Sequence, residues 1–208
     1  MERNELAADF FLIAHDEFTG KLRIARGRLG CGLVAAQLAQ LLIAGRVALA
    51  DNRVVLTDGA APGANEVDVF VLDTVRRDMS VGSVREWTAT LADPLYARVA
   101  HRLQAMGVVR REAGRRLTRR RTDRFPGADL LAAARPRTRL EHMIRHPREL
   151  DLPGAFTVAL LWAVGAERVL DPDIARVAAR QVAEQANEHL PVDLHTVLDG
   201  ARMVLAGN

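Results

Sequence analysis

The sequence predicts a mainly α-helical, single compact domain spanning residues 1–208 and carrying two short β-hairpins. Three observations lead there. Apolar residues recur at three- and four-residue spacing along most of the chain. Helix punctuation is frequent: Ser83 with Glu86 forms an S-x-x-E capping box, and Gly45, Gly107 and Gly165 each follow an apolar run. Alternating β-type runs are short and flank only two turn signals, Asp51-Asn52 and Ala113-Gly114.

In chain order, Leu6, Phe10, Ile13 and Ala14 make one stripe, so 6–14 reads as a helix with Asn4 as its cap. Residues 16–20 read as a turn and 21–25 as a short extended stretch. Residues 31–44 form a strongly apolar, Ala-rich helix stopped by Gly45. Val47–Leu49 and Val54–Leu56 form the first hairpin, and 59–65 a loop. Helices follow at 67–77 and 83–91. Asp93-Pro94 opens another, running to Met106, because proline suits the first helical turn. Residues 108–112 and 116–121 form the second hairpin, and 125–129 a loop. The last third is helical: 137–146 stopped by Pro147, then 154–165, 172–189 and 194–205.

Composition excludes several classes. Hydrophobic residues at 49% and charged residues at 26% describe a globular chain, not a disordered one. A single cysteine, Cys31, excludes an internal disulfide framework and an all-cysteine metal cage. The start, MERNELAADFFLIAHDE, has acids where a secretion signal needs a basic and then an apolar run. The longest apolar stretch, 155–166, is too short to span a bilayer and reads as a core helix with Trp162 inside it. These features predict a cytoplasmic protein, peripheral on the inner membrane face where it meets lipid.

Net charge is only +3, yet the charge is unevenly placed. Lys21 is the only lysine, so nearly all cations are arginines, which stay charged and grip phosphate or carboxylate with two N–H groups at once. Between 110 and 124 eight arginines stand against Glu112 and Asp123, a local excess of six positive charges on an otherwise mildly acidic chain. Such a patch suits an anionic partner. Three readings fit it: a solvated hairpin whose arginines keep an edge strand from pairing, a contact to membrane or protein, and a winged-helix-like nucleic-acid binder with 94–106, carrying Arg98 and Arg102, as recognition helix. The third is weakened by that helix's few base-reading side chains.

Enzyme motifs are missing: no phosphate-binding glycine loop, no nucleophile elbow, no H-E-x-x-H. No catalytic residue, metal or cofactor is expected. His142 and His146 share one helix face at a metal-ligand spacing, but no further ligands stand near them, so they read as solvent-facing. Cys31 and Trp87 read as core residues.

The order of segments resembles the Golgi phosphoprotein 3 family, in its compact bacterial branch. The resemblance rests on L-A-A-D-F-F-L-I-A-H-D-E-F-T-G-K-L at 6–22, then G-L-V-A-A-Q-L-A-Q-L-L-I-A-G-R-V-A-L at 32–49, where Gln40 stands at a position commonly glutamate. S-V-R-E-W-T-A-T-L at 83–91, A-M-G-V-V at 105–109 and the apolar helix ending near Gly165 complete it. The resemblance implies a helical, non-catalytic peripheral membrane adaptor that binds anionic phospholipid, in eukaryotic members phosphatidylinositol 4-phosphate, and holds protein clients by their tails. It also implies a head-group pocket of one tryptophan and several arginines. Those positions fall near Ala25 (the tryptophan), Val34, Asp93 and Tyr96 (the arginines), and none matches. The cations available instead are Arg26, Arg28 and Arg98, with Arg115, Arg116, Arg119, Arg120 and Arg121 of the basic hairpin. These eight are the expected head-group contacts. The like charge of that hairpin favours a monomer over an oligomer.

Overall fold

A computed structural model describes residues 5–58, 63–78, 82–113, 123–174 and 176–207. Among them the chain is mainly helical, with α1 (Leu6–Ile13), α2 (Arg26–Ile43), a hairpin of β1 (Val47–Ala50) and β2 (Arg53–Leu56), α3 (Glu66–Arg77), α4 (Val84–Ala105), α5 (Leu130–Arg145), α6 (Leu152–Ala163), α7 (Arg176–Glu188) and α8 (Val192–Ala206). The side chains of these elements share one hydrophobic cluster.

Helix α2 is the axis. Every residue from Leu29 to Ala39 is buried, enclosed by α1, α4, α6, α8 and β1. Close approach of the neighbours requires small residues. A Cβ at Gly32 would run into the Phe10 ring of α1, and one at Gly30 would lie 2.9 Å from the Ala92 Cβ of α4. The helix therefore begins at Arg26, five residues earlier than the sequence predicts. Gly27 and Gly30 look like helix breakers, but Gly30 is there for packing.

A helix buried on all sides must satisfy its polar side chains internally. Gln37 Nε2 donates to Asp68 Oδ1 of α3 at 2.7 Å, and Gln40 Nε2 donates to the same oxygen at 2.8 Å. Asp68 Oδ2 accepts from the Ala64 N–H at 3.0 Å. Gln40 Oε1 in turn accepts from the Leu6 N–H at 2.8 Å, serving as the start cap of α1. The predicted cap, Asn4, lies outside the described residues.

The first hairpin matches expectation. Val47 pairs with Leu56 and Ala50 with Arg53, and Asp51 and Asn52 both take positive φ, 49° and 61°, the mirror-image turn that suits strand twist. The capping box also forms: Ser83 Oγ accepts from the Glu86 N–H, and Glu86 Oε2 accepts from the Ser83 N–H.

Several boundaries are corrected. Helices 83–91 and 94–106 are one helix, α4, with Pro94 inside it. Proline removes the hydrogen bond to the Thr90 carbonyl, but Thr90 and Pro94 lie on the exposed face, where water can hydrate that oxygen. Meanwhile Leu91, Leu95, Val99 and Leu103 stay buried. Helix α5 begins at Leu130, not 137. Asp129 caps it by accepting from the N–H groups of Leu131 and Ala132 at 3.0 Å, and Pro136 is again interior. Helix α7 starts at Arg176 rather than 172, because Asp171 Oδ1 closes a local turn by accepting from the Asp173 N–H. Trp162, expected in the core, is only half-buried.

The second hairpin is re-registered. Glu112 pairs with Arg124 and Val109 with Gly127, so the returning limb is the stretch predicted as loop. It is placed by side-by-side pairing with the 16–20 turn: the Phe125 N–H donates to the Gly20 carbonyl and the Gly127 N–H to the Glu17 carbonyl. Gly20 has φ +63°, and a Cβ there would collide with the Phe125–Pro126 backbone. Residues 114–122, including Gly114 of the predicted tip, and 59–62 of the predicted loop lie outside the described residues.

The substitution Asp68→Ala strands two buried amides and the Ala64 N–H. It should lower unfolding stability by about 3 kcal/mol, read by chemical denaturation.

Candidate functional site

At the junction of three elements an arginine lies flat on an aromatic ring. The Arg26 guanidinium, in the first turn of α2, sits 3.4 Å from the ring centre of Tyr96 on α4. Its Nη2 also donates to Asp93 Oδ1 at 3.2 Å, one helical turn before Tyr96. The third wall is the base of the second hairpin, where Arg111 pairs with Asp123 at 2.6 Å. Burial pushes the Tyr96 hydroxyl above its ordinary range; Arg26 and Arg111 pull it down and Asp123 raises it. Those opposing influences place both charges of the hairpin base near the tyrosine.

The ring stands on an aromatic floor. Phe11, His15, Tyr96 and Phe125 contact one another with ring centres 4.0 to 6.3 Å apart. His15 is enclosed in this cluster. Its Nδ1–H donates to the Phe11 carbonyl at 2.7 Å, and Nε2 has no hydrogen-bond partner among the described residues. Its pKa is lowered to about 4, chiefly by burial, with the Phe11 bond raising it and the nearby Arg26 charge lowering it.

The start of α2 adds polar capacity. Ala25 caps it without a side-chain hydrogen bond. The first intrahelical bond is Leu29 N–H to Ala25 carbonyl, so the N–H groups of Arg26, Gly27 and Arg28 have no acceptor within the helix and lie at its positive end.

The other expected contacts go elsewhere. Arg28 Nη1 donates to the carbonyls of Val164 and Gly165 at 3.0 and 2.8 Å, closing the negative end of α6. Arg98 lies over the Phe70 ring of α3 at 3.8 Å. Arg115, Arg116, Arg119, Arg120 and Arg121 fall outside the described residues. Of the positions where a family pocket would stand, Val34 is fully buried in α2, whereas Ala25, Asp93 and Tyr96 surround Arg26. The sequence named Arg26 but missed that Tyr96, its only tyrosine, and Asp93 receive it, because they lie about seventy residues away in the chain.

The predicted recognition helix has its cations engaged as well, since Arg102 is paired through two nitrogens with Glu5. Cys31 is buried and its thiol is pushed up by burial. His142 and His146 stack at 4.3 Å, and His142 Nε2 meets Glu149 at 3.0 Å. Among the described residues no group of three or more His, Cys, Asp and Glu side chains could hold a metal, and no helix is long and apolar enough to cross a membrane.

Comparison with family models matches residues 6–200 to the model described as Golgi phosphoprotein 3 (GPP34). Comparison with curated proteins found no match.

Because the folded His15 takes its proton at a lower pH than the unfolded residue, the unfolded chain binds more protons between pH 6.5 and about 4. Stability is full above that window and should fall by about 3 kcal/mol as pH drops through it. Replacing His15 with Phe, which keeps the stack on Phe11, should flatten this limb in urea unfolding measured against pH.

Proposed function

The chain belongs to the Golgi phosphoprotein 3 family, which supports a lipid-binding or adaptor role at family level, and from that premise we propose that it is a non-catalytic peripheral adaptor binding anionic phospholipid head groups at the start of α2. The observation that carries this reading is the Arg26 guanidinium laid on Tyr96 beside the open N–H groups of α2. A phosphate there meets a guanidinium fork, backbone donors and the positive end of a helix dipole together. The aromatic ring belongs at the depth where head groups meet acyl chains.

The family resemblance implies a tryptophan near Ala25 and arginines near Asp93 and Tyr96. Here the arginine stands beside Ala25 and the ring stands at Tyr96. The pairing of ring and cation is kept with its two halves exchanged between helices. Phosphatidylinositol 4-phosphate is the finer form of the proposal, and the exchanged halves are the reason to test it against other anionic lipids. The hairpin arginines, 115, 116, 119, 120 and 121, add sequence-level charge that draws the protein to any anionic surface. The proposed location is cytoplasmic, on the membrane face.

The test is co-sedimentation with vesicles of neutral lipid, of phosphatidylglycerol mixtures, and of mixtures containing phosphatidylinositol 4-phosphate, with duplex DNA as competitor. Binding to anionic vesicles should fall steeply with added salt. Arg26→Ala should weaken it about five-fold, the equivalent of about 1 kcal/mol for one cation near the surface. Preference for the 4-phosphate lipid that Arg26→Lys removes would establish the finer reading, since lysine keeps the charge and loses the fork. Failure of the protein to pellet with any anionic vesicle would overturn both forms.

A further inference from the structure

Three large apolar side chains stand out on the surface next to the basic hairpin. Phe18 is 67% exposed, Leu131 85% and Leu130 45%. Single exposed apolar residues are ordinary on a protein surface. These three are different because two separate segments are joined so as to present them together. The Gly127 N–H donates to the Glu17 carbonyl at 2.8 Å. A Cβ at Gly127 would lie 3.2 Å from that same oxygen and 3.2 Å from Leu130 Cδ2. The turn that bears Phe18 and the first turn of α5 therefore meet at Gly127.

Both segments are braced. Asp16 Oδ1 accepts from the Thr19 N–H and from its hydroxyl, each at 2.8 Å. Arg23 reaches Asp16 and Glu17, and Arg137 of α5 reaches Glu17. Asp129 holds the N–H groups of Leu131 and Ala132. A turn so tied could carry a small polar residue at its tip as easily as a phenylalanine, yet it exposes an aromatic ring there.

The surroundings supply the charge. Lys21 and Arg124 are exposed at this edge, and Arg110 Nη1 donates to the Gly127 carbonyl at 3.0 Å. The acids here are engaged: Asp16 and Glu17 with Arg23, Glu112 with Arg110, Asp123 with Arg111, and Asp129 with the α5 backbone. The segment 110–124 as a whole carries an excess of six positive charges, and its two ends are paired beside these apolar side chains.

We propose that Phe18, Leu130 and Leu131 form an apolar foot that enters the boundary between head groups and acyl chains of an anionic phospholipid bilayer. This rests on the reading of the chain as a binder of anionic phospholipid and goes beyond it, since it assigns insertion to side chains other than those of the Arg26 and Tyr96 site. The occupant is a bilayer because protruding side chains need a fluid acceptor and the adjoining charge needs an anionic one. A second copy on this face would bring the exposed cations Lys21 and Arg124 toward like charges.

The experiment uses the full chain and vesicles of phosphatidylcholine with phosphatidylglycerol. The double variant Phe18→Ser, Leu131→Ser should lose at least ten-fold in vesicle affinity with an unchanged thermal midpoint. The control Val192→Ser, at a residue 76% exposed on α8, should bind as the unmodified protein does. Phe18→Trp should gain emission that lipids brominated near the head of the acyl chain quench, measured against the background of Trp87 and Trp162. If the unmodified protein pellets while the double variant binds equally well and the new tryptophan is not quenched, the foot is overturned and lipid binding by charge stands. If the double variant only converts a dimer to a monomer, the face belongs to a second copy and the proposal is overturned. If the unmodified protein binds no anionic vesicle, the proposal falls together with the reading beneath it.

Discussion

From Leu29 to Ala39 no residue of α2 is exposed, and a helix enclosed in that way has no polar face to orient it. Its rotation and depth must be set by shape and by the few polar groups it carries inside. Shape acts through Gly30 and Gly32, which admit α4 and the Phe10 ring at distances no larger residue would allow. Polarity acts through Gln37 and Gln40, whose amides converge on one carboxylate oxygen of Asp68. Because Gln40 also receives the first N–H of α1, one buried node fixes three helices against each other. An unsatisfied member of such a node costs more than the bond itself contributes, which is why the node specifies the arrangement and does not merely add to its stability. The start of α2 inherits that precision, and Arg26 with it.

Arginine does most of the remaining polar work, and in different ways. Arg28 closes the end of α6, Arg98 covers the Phe70 ring, Arg102 clasps Glu5 and Arg137 braces the Phe18 turn through Glu17. A guanidinium is planar, weakly hydrated and permanently charged, so one residue type can cap a helix, stack on a ring or bridge a carboxylate. The charge map read from sequence does not show which of these cations already have a partner within the fold. Arg28 and Arg98, read from sequence as head-group contacts, each also have an internal partner.

Local chemistry was legible and distant chemistry was not. The Asp51-Asn52 turn, the Ser83–Glu86 box and the Gly165 stop depend on residues within a few positions of each other, and each formed as read. Pro94 misled because proline marks a helix start only when nothing outweighs its lost hydrogen bond. At Pro94 the bond lost lies toward solvent and the flanking Leu91 and Leu95 are buried. The register of the second hairpin was hidden for another reason. It is set by the 16–20 turn, more than a hundred residues away, whose carbonyls accept from Phe125 and Gly127. The same limit applied to the site, where Arg26 was visible as a charge but its ring and its carboxylate partner on α4 were not.

The proposed exchange of ring and cation is compatible with that rigid frame. Two helices held at fixed separation present two facing positions, and a guanidinium over an aromatic ring fills the space between them whichever helix supplies which half. The pair is symmetric in packing but not in what it offers a ligand. With the arginine in the first turn of α2, the backbone N–H groups of the helix start lie beside it, and the carboxylate of Asp93 takes one of the fork's donors. A doubly charged monoester phosphate would compete with Asp93 for that donor more effectively than a singly charged diester would. On the proposed reading, discrimination between lipids at this site is a matter of displacing one exposed ion pair, and a surface ion pair of this kind is held by no more than about 1 kcal/mol.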